Sequence, residues 1–314
     1  MTIKTITIDY LWGKYSFKWN INHNVSILSG INGSGKSTVM RAIAALLNGE
    51  MVKSPLDKRF RKLTIEMSDS TLLLLEIFND KDNITTNNDS PLQKISVVRN
   101  GKIIPNDSFF PCLKSAFIST FDYAPPQLQN SGKFVDYVIG VKSLSELDII
   151  LDSVVEKYKS YQIELSTRMS KMMASGEANA QTVIELFGAK NRFLDIYDSI
   201  LKESGKYMNR DKGEVEFIFR SDGKSHPYSD LSAGEKQLLL IMLTVFMQAE
   251  KEAILLMDEP EISMHIDWQH RLLKEIKAIN PKCQIIVSTH SPAMILDGWQ
   301  MAVVNMEDIM KEIK

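Results

Sequence analysis

Gly30-Ile-Asn-Gly-Ser-Gly-Lys-Ser37 is the stretch that decides how the rest of this chain is read. Its spacing, Gly-x-x-x-x-Gly-Lys-Ser, is that of a phosphate-cradling loop, in which glycines let the backbone turn until successive N–H groups face one point. The pattern means little unless a strand precedes it and a helix follows. Both are present. Asn24-Val-Ser-Ile-Leu-Ser29 reads as a short strand, and Thr38 to Leu47 carries apolar residues at helical spacing before an Asn48-Gly49 stop. The positive end of that helix points back at the loop. Gly30, Asn32, Gly33, Ser34, Gly35 and Thr38 are therefore expected to line a phosphate site. Lys36 would reach the β- and γ-phosphates, and the Ser37 hydroxyl would ligate Mg²⁺.

Outward from this loop, Thr2 to Tyr10 and Tyr15 to Trp19 read as strands. Leu63 to Ile103 reads as short strands, with Asn100-Gly101 as a hairpin turn and the polar stretch Asn79 to Ser90 as a loop. Ser115 to Thr120 reads as a buried strand. Ser143 to Lys202 is helix-like, with Leu144, Leu147, Ile150, Leu151, Val154 and Val155 in one stripe and Ser143 with Glu146 forming a capping box. Gly176 and Gly188 suggest breaks, hence two or three helices. Glu214 to Arg220 returns to strand before an Asp222-Gly223 turn. The last ninety residues then alternate helix and strand: helices from Ala233, Ile266 and Pro292, and strands Ala253 to Met257, Gln284 to Ser288 and Ala302 to Asn305. That is the βαβ rhythm of a mostly parallel, doubly wound sheet.

Composition narrows the field. The 314 residues are 44 % hydrophobic and 24 % charged, which excludes a disordered or fibrous chain, and a net charge of −2 gives no case for a sequence-blind nucleic-acid binder. Only Cys112 and Cys283 are present, so neither a disulfide framework nor a Cys-based zinc site is indicated. No signal peptide or membrane-length apolar run is seen, and a cytoplasmic protein is expected.

Ala253-Ile-Leu-Leu-Met-Asp258-Glu259 is an apolar strand ending in two carboxylates, at the edge where ligands bind in such sheets. Asp258 there would hold the Mg²⁺ shell and Glu259 would act on a water. Leu231-Ser232-Ala233-Gly234-Glu235-Lys236-Gln237 opens a helix. Ser232 and Glu235 fit a capping box, and the same free N–H groups make an anion site. Ser288-Thr289-His290-Ser291-Pro292 follows the next strand.

This order of motifs resembles the ABC-type ATPases, in the branch of RecF, the structural-maintenance-of-chromosomes proteins and the OLD-like AAA-15/AAA-21 group. The resemblance covers residues 1–62 and 228–305. It implies an α/β P-loop NTPase of ABC-ATPase type, with a mostly parallel sheet, an antiparallel β subdomain and a helical insert. It further implies ATP and Mg²⁺ as ligands, catalytic roles for Lys36, Glu259 and the switch residue His290, and a signature at Ser232, Gly234 and Glu235 that binds nucleotide held by a second subunit. Glu261, Ser263 and His265 fall in the segment that resembles the D-loop and are candidates for contacts across a dimer. The glutamine that usually precedes the helical subdomain has no clear match: Thr120, Asp122, Gln127 and Gln129 are the nearest positions. Trp12 and Tyr15 are candidates for stacking on adenine. His265, Asp267 and His270 suggest a metal site only weakly, since positions 265 and 270 share no helical face.

Residues 1–125 and 205–314 are then expected to form one nucleotide-binding domain, with 126–204 inserted as a helical subdomain. The expected function is an ATPase that homodimerises around two ATP-Mg and switches a partner, in DNA repair or defence against phage. The alternative is the nucleotide-binding subunit of a membrane transporter. Because the sequence ends at Lys314, soon after its last strand, an effector such as a nuclease or toxin is expected as a separate chain, docking on the insert. DNA is a possible further partner; a membrane is not expected.

Overall fold

A computed structural model describes residues 1–53, 56–78, 91–119, 145–249 and 251–313. The strands are β1 (Ile3–Leu11), β2 (Tyr15–Asn20), β3 (Val25–Ser29), β4 (Lys62–Met67), β5 (Leu72–Phe78), β6 (Leu92–Arg99), β7 (Lys102–Ile104), β8 (Ser115–Ile118), β9 (Lys206–Met208), β10 (Glu216–Phe219), β11 (Ser225–Pro227), β12 (Ala253–Asp258), β13 (Cys283–Ser288), β14 (Val303–Asn305) and β15 (Met310–Glu312). The helices are α1 (Lys36–Leu47), α2 (Asn106–Phe109), α3 (Glu146–Ala174), α4 (Ala180–Leu201), α5 (Ala233–Phe246), α6 (Ile266–Ile279), α7 (Pro292–Leu296) and α8 (Met306–Ile309).

Among the described residues, five strands form a wholly parallel sheet in the order β14-β3-β13-β12-β8. Its strands are near-continuous apolar runs because both faces are covered. Along β12, Leu255 and Met257 enter a core shared with α3 to α6, while Ile254 and Leu256 enter a second core on the opposite face. Helix α1 lies in that second core, between the parallel sheet and a seven-stranded antiparallel sheet ordered β15-β2-β1-β4-β5-β6-β7. A third, three-stranded sheet joins β9, β10 and β11. β3, β13 and β12 are parallel neighbours, so their carboxyl ends meet at one edge. Three loops leave that edge side by side: Gly30–Gly35 after β3, the loop from Glu259 after β12, and Thr289–Ser291 after β13.

Several local expectations shift. The antiparallel part is larger than the turn signals imply, and β15, three residues that pair with β2, lies beyond the last strand expected. A three-residue strand has too few positions for periodicity to register. Gly176 does end α3, in the left-handed region at φ +74°, but Gly188 lies inside α4 with nothing near where a side chain would stand. The cap of α3 is Ser145 with Asp148, two residues later than expected; both side chains bond the other's backbone N–H. Ser143, Leu144 and the stretch 79–90 lie outside the described residues. Leu147, Leu151 and Val155 form the buried stripe, while Ile150 stays 39 % exposed. At Asn100-Gly101 both φ values are positive, the requirement of the hairpin turn read there.

Candidate nucleotide-binding site

The loop between β3 and α1 turns on glycines in conformations other residues avoid. Gly33 and Gly35 have φ of +80° and +96°. A side chain on Gly35 would stand 2.1 Å from the ring of Trp12, so the indole packs directly on the loop. No side chain caps α1, whose N-terminus therefore keeps its N–H groups for a ligand. A cavity of about 440 Å³ opens there, lined by Trp12, Asn32, Gly33, Gly35, Lys36, Ser37, Thr38, Arg59, Glu259 and His290.

Lys36 is only 4 % exposed. Its ammonium donates to the carbonyls of Gly30 and Ile31 at 3.1 and 3.2 Å and lies 2.7 Å from His290 Nε2. Burial lowers its pKa, opposed by the nearby carboxylates of Glu259 and Asp258. His290 Nε2 is in turn 3.4 Å from Glu259 Oε1. Burial, followed by the charge of Asp258, raises the pKa of Glu259. Glu259 sits at φ +49°, a costly conformation for a residue with a side chain, held by its N–H to the Ser288 carbonyl at 2.9 Å.

Asp258 is 1 % exposed. Its Oδ1 accepts from the hydroxyls of Ser288 and, at 3.2 Å, Ser37. Its Oδ2 is buried without a partner among the described residues. A carboxylate oxygen left without a donor, beside a serine hydroxyl, is the hard-oxygen donor set that Mg²⁺ takes, so these residues fit the ion.

The Ser232–Glu235 capping box is present. Ser232 N–H donates to Glu235 Oε2 at 2.8 Å, and Glu235 N–H reaches Ser232 Oγ at 3.4 Å. Glu235 is buried against Lys206 of β9 at 2.7 Å, and Lys236 pairs with Asp148 of α3 at 2.7 Å. Burial opposes the Glu235 charge, yet Lys206 and the Ser232 donors hold its pKa below the usual carboxylate value. Gly234 packs on the loop after β12: a Cβ there would lie 2.1 Å from the Ser263 carbonyl oxygen. Gln237 donates to the Pro260 carbonyl at 2.9 Å. Ser232, Gly234 and Glu235 do not line the cavity at Lys36.

The remaining candidates divide. Glu261 lies against the Thr289–Ser291 loop of its own chain. Ser263 has φ +69°, and His265 is exposed and paired with Asp267 at 3.0 Å. His270 pairs with Asp297 at 3.1 Å rather than with His265, so the weakly suggested metal trio does not assemble. Tyr15 contacts Trp12 edge-to-face at 6.2 Å and does not line the cavity. Thr120, Asp122, Gln127 and Gln129 lie outside the described residues. Arg59 escaped sequence reasoning. Its guanidinium donates to Thr38 Oγ1 at 2.9 Å and its carbonyl accepts from Trp12 N–H at 2.6 Å, yet a single arginine in a loop carries no spacing signal.

A family model described as "AAA domain, putative AbiEii toxin, Type IV TA system" matches residues 126–297, a span that holds Ser232, Gly234, Asp258, Glu259 and His290. The Septu protein PtuA of Bacillus thuringiensis is 24 % identical over 97 % of this chain and 74 % of its own length. The retron Vc95 probable ATPase of Vibrio cholerae is 22 % identical over 90 % of this chain and 69 % of its own. The endonuclease GajA of Bacillus cereus is 24 % identical over 89 % of this chain but only 54 % of its own. An Smc head domain from Pyrococcus furiosus, solved bound to the C-terminal domain of ScpA, superposes with a TM-score of 0.57 at 15 % identity, covering 99 % of this chain and 96 % of that one. The fold is thus that of an Smc-type P-loop ATPase head.

Proposed function

This chain belongs to the AAA-domain family whose model spans residues 126–297, within the SMC, RecF and OLD-like ABC-type ATPases, and from that premise we propose that it binds and hydrolyses ATP as a homodimer that switches a partner protein. The observation that carries this reading is the convergence at one cavity of Lys36, Ser37, Glu259 and His290, with Asp258 buried behind Ser37, from the ends of three adjacent parallel strands.

Lys36 and the uncapped N-terminus of α1 bind the phosphates, with Trp12 and Arg59 at the rim for the rest of the nucleotide. Ser37 and Asp258 would hold Mg²⁺, which when bound neutralises phosphate charge. Glu259 accepts the proton of the attacking water, a role its raised pKa suits, since a stronger base takes that proton more readily. His290 contacts the terminal phosphate and registers its loss. Ser232 and Gly234 lie off this cavity, so their anion-binding helix end serves a nucleotide held by a second copy. Residues 1–125 and 205–314 act as the nucleotide-binding body. Residues 126–204 are the insert whose contacts with the signature, through Asp148 and Lys236, carry dimer closure to a separate effector.

Defence against phage is the setting we favour, on the likeness to a Septu and a retron protein. A nuclease or toxin is the expected effector class. No described helix is long and apolar enough to cross a membrane. The test is ATP turnover together with solution mass. Wild type should release phosphate, and Glu259→Gln with ATP should double in mass. A Glu259→Gln protein that binds ATP and stays monomeric at saturation overturns the dimer.

A further inference from the structure

We propose that Glu261 is the positioning residue for His290, fixing the backbone that aims the imidazole into the cavity. This rests on the reading of His290 given above. Glu261 Oε1 accepts from three donors on consecutive residues: Thr289 Oγ1 at 2.5 Å, His290 N–H at 2.9 Å and Ser291 N–H at 3.2 Å. Its Oε2 is buried with no partner among the described residues, so the side-chain hydrogen bonds of Glu261 all go to this one loop. Within the loop, Ser291 N–H is shared with Thr289 Oγ1 at 2.9 Å, and Thr289 N–H donates to the Leu28 carbonyl at 3.3 Å, which leaves Glu261 as the acceptor for His290 N–H. The loop runs from β13 to α7, whose start has no side-chain cap, so the Glu261 carboxylate supplies an acceptor that the helix start itself lacks. Gln269 adds a brace: its Oε1 accepts from Ser291 Oγ at 2.6 Å, and its Nε2 donates to the Met264 carbonyl at 3.0 Å.

A third carboxylate beside Asp258 and Glu259 is electrostatically unfavourable, and its charge helps raise the pKa of Glu259. That cost is accepted where the group does something its neighbours require. Glu261 is also tied to the signature. It sits one residue after Pro260, whose carbonyl holds Gln237, and two before Ser263, whose carbonyl packs on Gly234. A displacement of the helix α5 N-terminus is therefore delivered through this short loop to the backbone of His290 in the same chain.

The test is a double-mutant cycle on ATP turnover with nucleotide affinity measured in parallel. Glu261→Ala should lower kcat about ten- to a hundredfold, the usual cost of losing a group that orients a reacting one, with nucleotide affinity nearly unchanged. Glu261→Gln, which keeps a carbonyl acceptor for the same donors, should recover most of the loss. In a His290→Ala background, Glu261→Ala should cost nothing further. An equal loss in both backgrounds, or unchanged kcat, overturns the proposal. Amide hydrogen exchange without nucleotide gives a readout separate from hydrolysis. Glu261→Ala should speed exchange at His290 and Ser291 while α1 and β12 keep wild-type protection. If the wild type hydrolyses nothing, the proposed function fails while the exchange result still decides the role of Glu261. Unchanged protection at His290 and Ser291 overturns it.

Discussion

The ammonium of Lys36 and the imidazole Nε2 of His290 stand 2.7 Å apart, joining the loop after β3 to the loop after β13. Lys36 spends its other hydrogen bonds on the carbonyls of Gly30 and Ile31. The lysine is folded back on its own loop, and a phosphate must compete with these partners for it.

That competition gives the first expectation. His290→Ala should tighten ADP binding by about fivefold, the worth of one hydrogen bond of about 1 kcal/mol, while ATP turnover falls. Lys36→Ala should weaken binding of either nucleotide by at least about tenfold. Titration of a fluorescent ADP analogue against the two variants checks both signs.

Glu259 bears on stability as well as on turnover. Its folded-state pKa lies above the ordinary 4.5 because burial and Asp258 disfavour its charge. The native state thus favours the protonated form, and stability from this group is full below pH 4.5 and lost as pH rises through the raised value. Glu259→Gln, permanently neutral, should melt higher than wild type at pH 7, with the gap closing as pH falls toward 4.5. Turnover by wild type should fall on the acid side at a higher pH than an ordinary carboxylate would give.

Gly234 offers a sign reversal. Alanine in place of a helical glycine usually stabilises by reducing the freedom of the unfolded chain. Here the added methyl would lie 2.1 Å from the Ser263 carbonyl. Gly234→Ala should instead cost about 1–3 kcal/mol, the penalty of overpacking, measured by denaturant unfolding.

The Glu235–Lys206 pair is buried on the carboxylate side, where Glu235 shows 4 % side-chain exposure. Removing one partner strands the other. Lys206→Met should destabilise by about 3 kcal/mol or more, and adding Glu235→Gln should restore most of it. Because Glu235 is held below its ordinary 4.5, the contribution is present above that pH and lost as pH falls through the depressed value.

Trp12 packs on Gly35 at the rim of the cavity, so nucleotide should change its fluorescence, and Trp12→Ala should weaken ATP and ADP binding alike by about two- to thirteenfold, the worth of roughly 0.5–1.5 kcal/mol of stacking. A variant that binds both nucleotides as tightly as wild type excludes the stacking role.

Much of this was legible in the chain. The strand–loop–helix around Gly30 to Ser37 carries its conformation in its own glycines, and β12 and β13 announce themselves as short apolar runs ended by polar residues. The Ser232–Glu235 box is likewise local, complete within four residues. The cap of α3 was misplaced because Ser143 and Ser145 both have an acidic residue three positions on, so spacing alone does not choose between them. Arg59 and the part Glu261 plays within its own chain were not legible, since neither belongs to a local pattern.

The sequence by itself determined which residues could bind phosphate or hold a proton, because helix starts, turns and apolar periodicity are properties of neighbours along the chain. Only the tertiary structure decided which of them meet. The order β3-β13-β12 puts His290 beside Lys36 and Asp258 beside Ser37 across more than two hundred residues, and it sets Gly234 against Ser263 and away from the cavity. Strand order follows from how two apolar faces are covered at once, a condition satisfied by the whole core and written in no single segment.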